Sequence, residues 1–130
     1  MESSIPDRPA VLVGEAATEW DRITALLFDA GMINDLDRAA LTAYCLSWKR
    51  WLDAEAEVAA AGEVVKAPSG YPIQNPWRAV ANQAHKQMVA LLGDLGLSPA
   101  ARTRVLMAPR KKTEEKNPWS GLLAGVNRDN

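Results

Sequence analysis

The sequence predicts a mostly α-helical subunit, with four helices and one small β-hairpin, that associates with copies of itself. Three observations carry this reading. Apolar residues recur at steps of three and four over long stretches, which is the period of a helix with a buried stripe. Start signals at Asn75-Pro76 and Ser98-Pro99 and stops at Gly31, Gly62 and Gly96 divide those stretches, because Asn and Ser satisfy free N–H groups while Pro fits the first helical position. One segment, residues 63–75, breaks the helical pattern around the turn Pro68-Ser69-Gly70, as a hairpin does.

Taken in order, residues 1–13 contain Pro6 and Pro9 and no clear period, and read as an irregular N-terminal arm. The helical domain then spans 14–107. Its first helix, about 15–30, buries Ala16, Trp20, Ile23, Leu27 and Ala30 on one stripe, and Gly31 ends it. Asn34 or Asp35 caps a second helix from Leu36 to about Ala61, and 26 residues at 1.5 Å each span roughly 39 Å. Two stripes run along it, one through Leu36, Ala40, Tyr44, Trp51 and Val58 and the other through Leu41, Cys45, Trp48 and Leu52. A helix with two apolar faces needs more than one partner. So short a chain has few elements left to cover both, so a second copy is expected there, the alternative being a central helix of a monomeric bundle.

The hairpin, Val64-Val65-Lys66-Ala67 returning through Tyr71-Pro72-Ile73-Gln74, is marginal alone in water and must pack on its own helices or on a neighbour. Tyr44, Trp48, Trp51, Val64, Val65, Tyr71 and Ile73 are therefore the candidate oligomer interface. The third helix, Pro76 to about Leu95, lines one side with Trp77, Ala81, Ala84, Met88, Leu91, Leu92 and Leu95; the fourth runs from Ser98-Pro99 through Met107. Lying so close in sequence, these two also fit a helix-turn-helix. Pro109 then halts regular structure, and 108–130 reads as a flexible charged tail carrying a small apolar cluster, Trp119, Leu122 and Leu123. That cluster either docks in a partner's groove or folds back on its own domain.

Composition excludes several classes. Nearly half the residues are apolar and no apolar run approaches a membrane span of roughly 18–20 residues; with no basic and apolar leader at the start, the protein is expected to stay in the cytoplasm where it is made. One cysteine and one histidine provide neither an intrachain disulfide nor a zinc cluster. No phosphate loop, metal-ligand spacing or nucleophile elbow is present, so neither a catalytic residue nor a cofactor is expected. Cys45 sits in an apolar stripe as a small core residue, and His85 has no base partner. The near-zero net charge hides an asymmetry: residues 1–64 hold 12 acidic and 5 basic side chains, residues 65–130 hold 4 and 10, giving −7 and +6. Such polarity suits head-to-tail contact between copies, or an anionic partner on the C-terminal half.

Across about residues 30–106 the order of parts resembles the P27 family of bacteriophage terminase small subunits. The residues that carry the resemblance are Gly70-Tyr71-Pro72-Ile73-Gln74-Asn75-Pro76 after a long helix, then a helix, then Leu95-Gly96-Leu97-Ser98-Pro99-Ala100-Ala101-Arg102. The resemblance implies a non-enzymatic helical subunit in the host cell cytoplasm that assembles into a ring, binds double-stranded viral DNA and presents it to the large terminase subunit, which supplies the ATPase and nuclease. It fixes no DNA-contacting residue. Charge does that instead: Arg78 and Lys86 on the third helix, with Arg102, Arg104, Arg110, Lys111 and Lys112 running from the fourth helix into the tail, are the candidate DNA contacts. In this setting Trp119, Leu122 and Leu123 would dock on another packaging component. A phage head-completion or connector protein, or a small helix-turn-helix regulator, are the alternatives.

Overall fold

A computed structural model describes residues 2–107, with side chains described through Thr103. The described part is mostly helical: α1 (Glu15–Asp29), α2 (Arg38–Ala61), β1 (Val64–Lys66), β2 (Pro72–Gln74), α3 (Pro76–Asp94) and α4 (Pro99–Met107). The first unit ends at Ser98, and α4 belongs to a second unit.

Within the first unit α2 is the centre, flanked by α1 on one side and α3 on the other. Its entry is a capping box: the Asn34 side chain accepts from the Leu36 N–H at 2.8 Å, and Asp37 accepts from the Asn34 N–H at 2.9 Å. Leu36 and Asp37, expected as the first residues of α2, lie instead with Asp35 in a tighter 3-10 turn, Asp35–Asp37, and Leu36 is exposed. Short 3-10 turns at helix starts satisfy orphan donors in the same way.

One continuous core forms from Trp20, Ile23 and Leu27 of α1, Leu41, Tyr44 and Cys45 of α2, Met88 of α3, and Leu12 and Ile33 from the flanking segments. Farther along, α2 and α3 meet through small side chains, Ala54 and Val58 against a face holding Ala81 and Ala84, all buried. Leu41, Tyr44, Cys45 and Val58 of the two stripes are buried within the chain, whereas Leu36 stays exposed and Trp48, Trp51 and Leu52 are half-buried. The buried part of the stripes fits the bundle alternative, and the half-buried part, Trp48 and Trp51, keeps surface outside it. The N-terminal arm has no regular structure but is fastened. Leu12 enters the core, the Ser4 N–H donates to Ile33 O at 3.1 Å, and Arg38 Nε donates to Asp7 O at 2.7 Å.

Helices α1 and α3 end alike. Gly31 and Gly96 take φ of +70° and +79°; Met32 N–H returns to Leu27 O and Leu97 N–H to Leu92 O, each at 2.8 Å. These are Schellman turns, in which a residue without Cβ adopts the left-handed conformation and caps the last carbonyls. The two turns also touch, since a Cβ added at Gly96 would lie 2.8 Å from Met32 Cε. Gly96→Ala is expected to destabilise the chain by about 1–2 kcal/mol, read as a lower urea midpoint with an unchanged slope.

Candidate functional site: the hairpin and its mount

The two strands pair antiparallel in the register Val64↔Gln74, Val65↔Ile73 and Lys66↔Pro72. Opposed residues share a face, so one face carries Val64, Gln74, Lys66 and Pro72 and the other Val65 and Ile73. Val64 is 65% exposed, Tyr71 72% and Ile73 38%, while Val65 is partly covered. The hairpin therefore stands out from the helices with apolar side chains in water.

Its base is built from polar contacts. Asn75 is buried and uses every group it has: Oδ1 accepts from the Trp77 N–H at 2.9 Å, Nδ2 donates to Gly62 O at 2.9 Å, its N–H donates to Glu63 O at 2.8 Å, and its own carbonyl accepts from the Arg78 N–H at 2.9 Å. The residue expected only as a helix cap thus also closes the loop between the end of α2 and the start of α3. Beside it, Arg78 donates from Nη1 and Nη2 to Glu55 of α2 at 2.9 and 3.2 Å, and from Nε and Nη2 to Glu63 at 3.1 and 2.8 Å. The other Nη1 hydrogen reaches Asn82 Oδ1 at 3.3 Å. Those bonds use all five N–H groups of a guanidinium. Trp51 Nε1 adds a bond to Glu55 at 3.2 Å, its ring lies 5.1 Å from the ring of His85 and 5.9 Å from that of Trp48.

The electrostatics follow from this geometry. Hydrogen bonds from Arg78 hold the carboxyls of Glu55 and Glu63 below the usual range, and the same bonds push the Arg78 guanidinium up. Because the folded values lie below the ordinary carboxylate value of 4.5, the stabilisation is fully present above that value and is lost as pH falls through the lowered ones. Stability measured by urea titration should therefore fall on acidification below about pH 4.5. The Glu55→Gln and Glu63→Gln variants should show a shallower fall.

The candidate interface residues divide. Tyr44 is corrected from interface to interior. It is 2% exposed, and its hydroxyl donates to Glu19 on α1. Glu19, itself buried, is held from the other side by Nε and Nη2 of Arg22, which supplies the paired charge a buried carboxylate requires. Burial first, and then the bond to Glu19, raise the Tyr44 hydroxyl pKa. Tyr44→Phe should cost about 1–3 kcal/mol, since Glu19 loses a buried donor, and should leave the mass of the protein in solution unchanged. Trp48 and Trp51 are half-buried, whereas Val64, Tyr71 and Ile73 are exposed. Trp77, expected on the buried stripe of α3, is 43% exposed and lines a shallow groove with Leu46, Arg50 and Val80.

The candidate DNA residues divide too. Arg78 has no donor left for a phosphate. Lys86 and Arg102 are exposed, as is Lys66 on the hairpin, a cation that the sequence reading passed over. Arg104 lies in α4 with its side chain outside the described residues, and Arg110, Lys111, Lys112 and the tail cluster Trp119, Leu122 and Leu123 lie outside the described residues altogether. Cys45 is buried, and its thiol is pushed up to about 12 by that burial, as befits an inert core residue. Among the described residues no group of His, Cys, Asp and Glu is placed to hold a metal, and no helix is long and apolar enough to cross a membrane.

Fold and site together define a small helical subunit that mounts a hairpin on a closed helical core. The family model described as phage terminase, small subunit, matches residues 16–123, and the chain belongs to that family. Its role thus lies in phage DNA packaging. No curated protein and no solved structure matches the chain.

Proposed function

We propose that this protein is a non-catalytic terminase small subunit of the P27 type. It binds double-stranded viral DNA in the host cytoplasm as a homo-oligomeric ring and delivers it to the large terminase subunit to start packaging. The family match over residues 16–123 carries this reading, and it favours packaging over head completion and over a free-standing regulator. Two physical features support the particulars. Val64, Tyr71 and Ile73 are apolar and exposed on a hairpin whose base is hydrogen-bonded through Asn75, so covering them against another copy removes apolar surface from water. They now stand, with Trp48, Trp51 and Val65, for the interface.

The second feature is charge. Lys66, Lys86 and the basic run Arg102, Arg104, Arg110, Lys111 and Lys112 lie in the half that carries +6. Phosphate contacts of this kind carry no sequence information and release counterions, with a log–log salt slope of about −0.9 per contact. A few contacts per copy are weak, and a closed assembly links them, so that avidity exceeds single-site affinity by about 10² or more. Trp119, Leu122 and Leu123 serve as the docking element for the large subunit.

Native mass spectrometry of the full chain, alone and with duplex DNA, tests the assembly. A single closed oligomer is expected, and a monomer at every salt concentration would overturn the ring. Replacing Arg110, Lys111 and Lys112 by Ser should weaken DNA binding across all sequences and flatten the salt slope by up to roughly 3 per copy. An unchanged slope would remove these residues from the DNA contact. Deleting 117–130 should abolish binding to the large subunit, and unchanged binding would remove the docking role of the tail cluster.

A further inference from the structure

The hairpin is joined to α2 by only Gly62 and Glu63, and Gly62 has φ of +94°. Asn75 ties the ends of the hairpin to each other and to the first turn of α3. None of its bonds reaches into the body of α2. Among the described residues the side-chain bonds that do so from this region are those of Arg78, which grips Glu55, two turns before the end of α2, and Glu63, next to the first residue of β1. A guanidinium is planar and its donors form a fixed fork, so two bidentate partners on one Arg fix the direction from one carboxylate to the other.

We infer that Arg78 is a positioning residue: it sets the angle at which the hairpin leaves the helical core by clamping Glu63 at the hairpin base to Glu55 on α2. Packing does not duplicate this. Val64, Lys66, Tyr71, Pro72, Ile73 and Gln74 are all exposed, leaving Val65 and Ala67 as the partly covered residues of the hairpin. The clamp lies at the surface, with side-chain exposures of 20% for Arg78 and 39% for Glu55, so its loss leaves no buried charge behind. That separates orientation of the hairpin from stability of the core.

Hydrogen–deuterium exchange on the full chain tests this, comparing wild type with Arg78→Gln, Arg78→Lys and Glu63→Gln. In Arg78→Gln the amides of residues 63–75 should exchange about tenfold faster or more, while those of α1 and the first half of α2 stay within about twofold. Lysine, a point charge that cannot hold two carboxylates in a fork, should fall between. Glu63→Gln, which leaves the bond to Glu55 in place, should mobilise the same segment even if Arg78→Gln fails to fold. Uniform acceleration over the whole chain in Glu63→Gln, or unchanged exchange in the hairpin, would overturn the inference.

The consequence for assembly rests on the ring reading above: a freed hairpin should weaken self-association about tenfold or more in light scattering. The two readouts separate the ideas. If wild type is monomeric and the variants still mobilise the hairpin, the clamp stands and the ring falls. If the ring forms and the hairpin is indifferent to Arg78, the clamp falls alone.

Discussion

The rest of the structure depends on covering α2 on two sides. A helix of 24 residues spans roughly 36 Å, and most of its large apolar side chains lie over one broad arc. Water tolerates neither stripe, and each flanking helix meets a different part of the requirement. Helix α1 supplies bulk, with Trp20, Ile23 and Leu27 packed in the core beside Leu41, Tyr44 and Cys45. Helix α3 supplies closeness: alanines at 54, 81 and 84 are fully buried, which allows two backbones to approach with little side chain between them. The closure leaves single apolar side chains exposed along the arm and helices, such as Val11, Leu26 and Val89, and a concentration of them on the hairpin.

The hairpin lies outside that core. Three residues per strand cannot stabilise themselves, and Val64, Tyr71 and Ile73 are exposed among the described residues. Its order comes from below, through Asn75 and Arg78, polar groups whose bonds are directional where apolar packing is not. A mount of that kind holds a surface in place without covering it. Such an arrangement suits an element that meets its partner in another molecule, since less freedom remains to be lost on binding.

Much of this was legible in the sequence because it is local. Caps and stops act over one turn of chain, so Asn75-Pro76, Gly31 and Gly96 marked helix ends within about a residue, and the hairpin lies where Pro68-Ser69-Gly70 placed it. What the sequence could not show is pairing across distance. Tyr44 and Glu19 are 25 residues apart, and Arg78 lies 15 and 23 residues from its two carboxylates. No period or spacing links such residues, and an arginine on an exposed-looking helix face reads as a free cation. The two stripes of α2 show a related gap. A pattern tells that a face must be covered but carries no information on which chain covers it, and Tyr44 was assigned outward where α1 lay over it.

The internal pairs also sharpen the charge asymmetry that motivates an anionic partner. Counterion release requires cations that are not already neutralised. In the acidic half Arg22 is held by Glu19, Lys49 by Asp53, and Arg8 lies 4.0 Å from Asp21. Arg78, a member of the basic half by position, joins the acidic half by contact, where two carboxylates surround it. Lys66 and Lys86 are exposed and carry no ion pair among the described residues. Ion pairs thus take up three of the five cations of the acidic half, Arg8, Arg22 and Lys49, while Arg50 on α2 is exposed and, like Lys66 and Lys86, carries no ion pair among the described residues. The hairpin carries one of those cations, Lys66, between apolar neighbours, so the element that the mount orients presents charge as well as apolar surface.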